Sequence, residues 1–514
     1  MLDINKDSWF VKFDKINDEL METEGEKQLA GCPPEILSTM HNDFLVTDTD
    51  PTELKGNWSE RDNVRALVTK ILKEPASFRE AMSSKERAHW LEAIESELDA
   101  MNENQVWTIA DRPVSSKGKR PNVVDSRWVL KRKLGVNGEI KHEARVVCRG
   151  FKDRNDYELD ETYASVSRMQ IIRATFVIIN KLDLEVCQLD VKTAFLNGML
   201  ESEVFMEIPE GLNCSDEVRK NKICKLERAL YGLKVSPKRW NEKFTQVARK
   251  LGLTTHDSEP CLFTWRENKK FLLLLLYVDD MLIASNGSEK MHATKTSLML
   301  EFKMTDLGAP RTFLGIEIAR DRKNRTLSLT LEKYIVKLLH RFGYSEMHTQ
   351  QTPMITNQVA NRERKAREEG NKELREVNSE NCSYRALVGS LLYLAGTVRP
   401  DILYAVNVLS RHQTNPTDAE WKAAQRVCRY LKHTKNVGLM FTGKLDWLEG
   451  YSDASFADCK DSLNTSGYVV KLFGDAISWK TKQLPFVSLS TCEAESCVSK
   501  INRTASINRT YVRT

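Results

Sequence analysis

The chain has no apolar run long enough to cross a bilayer. Its longest, Phe271 to Val278, falls well short of the roughly 20 residues a spanning helix needs. No charged-then-apolar leader opens the sequence, so a secretory signal is not expected. Cysteine is sparse and unpatterned, with 11 residues at irregular intervals. An odd count without metal-type pairing points to reduced thiols in an intracellular protein, cytoplasmic or nuclear. Glycine (23) and proline (14) are too few for a collagenous or low-complexity chain. Secretion, membrane spanning and a disulfide scaffold are therefore excluded as expectations.

What is present is charge, unevenly placed. The 514 residues carry 77 Lys plus Arg against 72 Asp plus Glu, a net +5. Residues 1–60 hold 14 acids and 5 bases, so the remainder holds 72 bases and 58 acids, or +14. With 41% hydrophobic residues the chain can bury real cores, and its length suits about three or four domains. We read 1–74 as an acidic, largely unordered leader, with ordered sequence beginning near Pro75.

Trp90, Ile94, Leu98 and Met101 recur at helical spacing. In residues 123–151, Trp128, Leu130 and Leu134 share one parity of a strand, and Arg127, Lys131 and Lys133 share the other. Asn137-Gly138 marks a tight turn. On the return, Ile140, Ala144, Val146 and Cys148 alternate with Lys141, Arg145 and Arg149. Six cations thus fall on one face of a hairpin, which is either a solvated strand face or a polyanion surface; the density favours the polyanion. Residues 355–380 read as a charged linker or solvated helix, 383–435 as helical, and the chain from about Gly450 as strand-rich.

Two segments carry the chemistry. Gln188-Leu189-Asp190-Val191 and Phe271 to Leu276 followed by Tyr277-Val278-Asp279-Asp280 both deliver aspartate at or near the end of an apolar strand. Burying carboxylates there is costly without a cation, and adjacent aspartates raise the cost. Mg²⁺, which takes hard oxygen ligands and keeps waters for substrate phosphates, resolves it. Two such ions can drive an in-line displacement. Together with the basic hairpin, the two segments point to nucleotidyl transfer.

The chain resembles the reverse transcriptase region of copia-type retrotransposon Pol polyproteins. The resemblance rests on Ala144-Arg145-Val146-Val147 with Gly150-Phe151, Glu161 to Val166, the Asp190 segment, Leu230-Tyr231-Gly232-Leu233-Lys234, Tyr277 to Asp280, and Phe302 to Gly308 with Phe313 to Ile316. It implies an α+β right-hand polymerase of fingers, palm and thumb, followed by a helical connection and an incomplete RNase H-like sheet. The implied boundaries are 75–345 for fingers and palm, 346–445 for linker and thumb or connection, 446–497 for the RNase H-like segment, and 498–514 for an unassigned basic tail.

The resemblance makes Asp190 and Asp279 the main metal ligands, with the Val191 carbonyl beside them and Asp280 serving charge and geometry. Mg²⁺ is the implied ion, with Mn²⁺ as substitute. Phe195 matches the aromatic beneath the sugar, unless it is a core phenylalanine. Arg145 matches the arginine that stacks over the incoming base and contacts phosphate, and Lys131 is a second triphosphate contact. Tyr231, Gly232 and Lys234 shape the nucleotide and template pocket. There, Val235-Ser236-Pro237 departs from the family's usual Gln-Ala-Pro, which we read as tuning. Implied partners are a primed RNA or DNA template and dNTP, without a membrane; oligomeric state stays open.

Asp453 and Glu495 match metal ligands of the RNase H domain, while Glu493 fits a capping box with Ser490. No acid follows Glu495, and an open, unpaired sheet should fold poorly. RNase H activity is therefore expected to be absent; RNA-strand cleavage that is lost in Asp453→Asn would contradict this. No Asp-Thr/Ser-Gly protease signature, zinc knuckle or integrase-like zinc block occurs. We read the chain as a fragment of a larger polyprotein from a decayed copy. Its reading is an RNA-directed DNA polymerase; the alternative is a catalytically inactive nucleic-acid-binding remnant.

Overall fold

The computed structural model describes residues 74–113, 121–134, 140–355, 383–455, 463–484, 487–488 and 490–491. The acidic leader, the Asn137-Gly138 turn, nearly all of the charged stretch, Glu493, Glu495 and the basic tail lie outside the described residues. Among the described residues, no helix is long and apolar enough to cross a membrane.

Helix α1 (Arg87–Glu103) buries Trp90, Ile94, Leu98 and Met101, the stripe its spacing foretold. It covers a hairpin of β1 (Ser126–Leu134) and β2 (Ile140–Cys148). Trp128 stands opposite Val146 and Leu130 opposite Ala144, all buried beneath α1. Strand alternation leaves Arg127, Lys131, Lys141 and Arg145 on the outer face. That face is less purely basic than the cations suggested, because Glu143 stands opposite Lys131 and Arg149 is paired with Asp125 at 2.7 Å. One cation takes the inner face: Arg132 lies 5.3 Å above the Trp90 ring and pairs with Glu86. A four-stranded sheet built by Trp107–Asp111, Lys222–Arg228, Met199–Met206 and Val123–Val124 completes this unit.

The next unit holds the carboxylates. Helix α2 (Met169–Lys181) leads into β3 (Glu185–Val191). After helix α3 (Ser236–Lys250) come β4 (Thr254–His256), β5 (Glu259–Glu267), β6 (Lys270–Tyr277), β7 (Asp280–Ser285) and β8 (Met304–Gly308). They form a six-stranded sheet ordered β8-β3-β7-β6-β5-β4, antiparallel at every pairing. The unbroken apolar run of β6 follows from cover on both faces. Leu273 and Leu275 join the core with α2, whereas Leu272, Leu274 and Leu276 meet Trp240, Phe244 and Val247 of α3.

The helical region comprises α4 (Tyr384–Thr397), α5 (Leu403–Ser410) and α6 (Asp418–His433). Its apolar faces enter the same core as α2. The final strands, β9 (Leu448–Ser455), β10 (Thr465–Leu472) and β11 (Asp475–Gln483), make a three-stranded antiparallel sheet.

This sheet was expected to be open and unpaired. It is docked rather than open, because Val470, Leu472, Phe473, Ile477 and Trp479 are buried in the α2 core. Arg173 of α2 fastens it. The buried guanidinium donates to the Ile477 carbonyl at 2.6 Å and to the Gly396 and Thr397 carbonyls at 2.7 and 2.9 Å. It also lies 3.8 Å from the Trp479 ring centroid. Burial pulls its pKa down to about 9, so three carbonyls and a ring face stand in for the missing carboxylate. Among the described residues, Cys148, Cys187, Cys214, Cys224, Cys261 and Cys428 are free thiols.

Candidate active site

The antiparallel register brings the carboxylates to one sheet end. Asp190, next to last in β3, is the partner of Asp280, first in β7. Partners in register project on the same face, so these two carboxylates are neighbours. Asp279 sits between β6 and β7, in a two-residue turn with Val278. Its backbone carbonyl accepts from the Val191 N–H at 2.9 Å, which ties the turn to the strand that carries Asp190.

Electrostatics mark the same place. Burial, then the nearby Asp279 and Asp190, push the Asp280 carboxyl up to about 7. The Gln188 amide, donating to Asp280 at 3.3 Å, offsets part of that. Negative charge is thus held there at a cost that a divalent cation would relieve. Among the described residues, no three His, Cys, Asp or Glu side chains are gathered closely enough to hold a metal ion. The aspartates fit Mg²⁺ as a partial ligand set, completed by waters and substrate phosphates.

The raised carboxyl has a consequence for stability. A carboxyl with a folded pKa above its unfolded value binds more protons when folded between the two values. Stability from this group is therefore full below about pH 4 and lost as pH rises through about 7. Asp280→Asn removes that loss. At pH 8 and without metal, it should raise the urea midpoint, with a gain in unfolding free energy on the order of 1–2 kcal/mol. The gain should shrink at pH 5, and a lower midpoint at pH 8 would refute the electrostatic account.

Arg145 projects from the outer face of the hairpin, its guanidinium carbon 5.3 Å from the Tyr231 ring centroid. Burial lowers its pKa, but Tyr231, Glu143, Asp279 and Glu97 outweigh it and leave the pKa raised. The guanidinium is thus held charged, within the field of Asp279. Phe195 follows in a 3₁₀ turn, Ala194–Asn197, entered through Thr193 at φ 55°. It is half-buried, with its ring 5.2 Å from Tyr231 in an edge-to-face pair. Arg145, Tyr231 and Phe195 therefore form one layered wall, and Phe195 is not a fully buried core residue.

Gly232 works by close approach. At φ +91°, a Cβ there would come within 2.1 Å of the Cys148 carbonyl, and one on Gly150 within 2.0 Å of the Gly232 carbonyl. The preceding Tyr231 carbonyl accepts from the Cys148 N–H at 2.7 Å, which locks the Tyr231 loop onto β2. Lys234 is exposed and reaches the Asp153 carbonyl at 3.4 Å. Lys131 is half-buried on the outer hairpin face, where register puts Glu143 opposite it. Asp453 is exposed on β9 and, among the described residues, belongs to no metal-holding group. Glu495 lies outside the described residues.

Sequence reasoning missed three residues around the site. Gln188, two residues before Asp190, donates its side-chain amide to Asp280 at 3.3 Å. Glu97 accepts from the Val146 N–H at 3.2 Å, with burial raising its carboxyl to about 7. Trp240 donates to the Val278 carbonyl at 2.6 Å. Its spacing from Phe244 reads only as a helix core, so no local signal separates it from packing residues.

With this geometry in place, comparison with known proteins gives the class. A protein-family profile described as reverse transcriptase (RNA-dependent DNA polymerase) matches residues 104–356. The Pol polyprotein of transposon TNT 1-94 from Nicotiana tabacum is 37% identical over 429 residues, covering 82% of this chain and 31% of that protein. The Pol polyprotein of transposon RE1 from Arabidopsis thaliana is 34% identical over 81% of this chain and 27% of its own length. The chain thus spans about a third or less of these polyproteins. The putative transposon Ty5-1 protein of Saccharomyces cerevisiae is 31% identical, with 96% of its length covered. A solved foamy viral protease-reverse transcriptase in complex with double-stranded DNA covers 80% of this chain and 60% of its own. At 11% identity and a TM-score of 0.43 it is a remote likeness. The chain belongs to the reverse transcriptase family, among the copia-type transposon Pol proteins.

Proposed function

We propose that this chain is an RNA-directed DNA polymerase that adds dNTP to a primer 3′-hydroxyl on an RNA or DNA template. The observation that carries the reading is the register of Asp190 with Asp280, with Asp279 tied to Val191 in the intervening turn. In this reading the six-stranded sheet is the palm, the hairpin belongs to the fingers, and α4 to α6 form the thumb or connection.

Asp190, Asp279 and the Val191 carbonyl would hold the metal, and Asp280 would set the local charge. When bound there, Mg²⁺ or Mn²⁺ would supply activation of the 3′-hydroxyl and charge neutralisation on the departing pyrophosphate, in a two-metal arrangement. Arg145 offers a planar cation for the triphosphate and the base. Tyr231 holds that cation over its ring, and Phe195, braced by Tyr231, would lie beneath the sugar and disfavour a 2′-hydroxyl. Lys131 and Lys234 would add phosphate contacts, and the outer hairpin face would add salt-sensitive affinity for nucleic acid. RNase H activity is not part of the proposal.

Primer extension on an RNA template with dNTP and Mg²⁺ tests this reading. Templated extension by the wild-type chain supports it. Salt-sensitive duplex binding without extension would favour the inactive, nucleic-acid-binding remnant.

A further inference from the structure

The turn that carries Asp279 is strained, and its strain is held from outside. Val278 and Asp279 form the two-residue turn between β6 and β7. Val278 adopts φ 57°, a left-handed backbone that a β-branched side chain strongly resists. Two-residue hairpin turns commonly place glycine, asparagine or aspartate where φ is positive. Left to local preference, a valine here would relax the turn and carry Asp279 with it.

Two hydrogen bonds oppose that relaxation, on consecutive carbonyls. The Asp279 carbonyl accepts from Val191 at 2.9 Å. The Val278 carbonyl accepts from the indole Nε1–H of Trp240 at 2.6 Å. Trp240 is itself immobilised. It is 2% exposed and packed edge-on against Phe302 at 5.2 Å and beside Phe244 at 5.6 Å between ring centroids. Phe302 leads through Lys303 into β8, where the Lys303 carbonyl accepts from the Lys192 N–H at 2.9 Å and Thr305 pairs with Asp190. The helix bearing Trp240 also begins three residues after Leu233, directly beyond the Tyr231-Gly232 loop. One indole therefore links the nucleotide-pocket loop, the strand next to Asp190 and the Asp279 turn.

We propose that Trp240 is a positioning residue for the polymerase site, its indole N–H holding the Val278-Asp279 turn in its strained form so that Asp279 faces Asp190. The inference rests on the polymerase reading for its activity arm and on the structure alone for its second arm. The test uses the full chain and Trp240→Phe, which keeps an aromatic ring between Phe244 and Phe302 but lacks the donor. Loss of a hydrogen bond to a buried carbonyl should have roughly a tenfold effect.

In primer extension, kcat should fall about tenfold while KM for dNTP moves less than about threefold. Amide hydrogen exchange of the peptide spanning Tyr277 to Ile283 should accelerate by about tenfold without metal or substrate. Adding Val278→Gly, which removes the strain, should restore most of kcat in the Trp240→Phe background. Unchanged exchange in Trp240→Phe would overturn the proposal. So would a kcat deficit that Val278→Gly leaves untouched, because that pattern marks a loosened core instead. If the wild-type chain does not extend a primer, the polymerase reading fails, and the exchange measurement still decides the role of Trp240.

Discussion

Asp190→Asn should lower primer extension about a thousandfold while leaving affinity for a primed duplex within about twofold. Asparagine preserves shape and removes one negative charge from the sheet end where Asp190 and Asp280 are register partners. If Asp190 is a metal ligand, losing it removes several kcal/mol of transition-state stabilisation, and each 1.36 kcal/mol is a factor of ten in rate. Binding should survive because the outer hairpin face, with Arg127 and Lys141, would supply phosphate contacts that do not depend on Asp190. Folding should survive too, since the change relieves repulsion at the Asp280 carboxyl, which Asp190 helps to push up. Steady-state extension, paired with duplex titration over a range of salt, separates these effects. Extension within about tenfold of wild type would remove Asp190 from the site.

Much of the fold was legible because its signals are local. The α1 stripe is a period of 3.6 written in four residues, and each of the four is buried. The hairpin parity survives in the register of Trp128 with Val146 and Leu130 with Ala144. The continuous apolar run of β6 marked a strand, and the structure covers that strand on both faces. The aspartates were legible as types at strand ends. Their mutual arrangement was not, because register depends on which strands pair, and β3 and β7 lie roughly 90 residues apart in the chain.

Long-range contacts account for what local reading overlooked. Arg132 shares parity with Trp128 and Leu130, yet it neutralises itself against Glu86 and the Trp90 ring. Glu143 and Asp125 dilute the basic face through cross-strand and loop contacts. Trp240 looks like any buried helix tryptophan until the Val278 carbonyl is found on its indole. The docking of the last sheet was the largest miss. Arg173 interrupts an apolar helix, and its partners Gly396, Thr397 and Ile477 lie more than 200 residues away. No periodicity within α2 encodes such a distance.

That docking carries a further large expected effect. Trp479→Ala should destabilise the chain by about 3–5 kcal/mol, the range for deleting a large buried aromatic. Trp479 is 8% exposed and shares a core with α2 and α4. Its indole N–H donates to the Ala395 carbonyl at 2.8 Å, and its ring supports the Arg173 guanidinium. Removal leaves a cavity, an unpaired carbonyl and a buried cation without its ring face, which are three separate sources of cost. Because α2 feeds directly into β3 and Asp190, the damage should reach the carboxylate site. Urea denaturation followed by far-UV circular dichroism should show a lowered midpoint, and hydrogen exchange across Met169–Lys181 should accelerate in step with it. Primer extension at elevated temperature should fail earlier than in the wild type. An unchanged midpoint with faster exchange confined to β9–β11 would mean that the sheet is an independent appendage. A midpoint that falls together with protection of α2 would mean that these strands buttress the helix that leads into the carboxylate site.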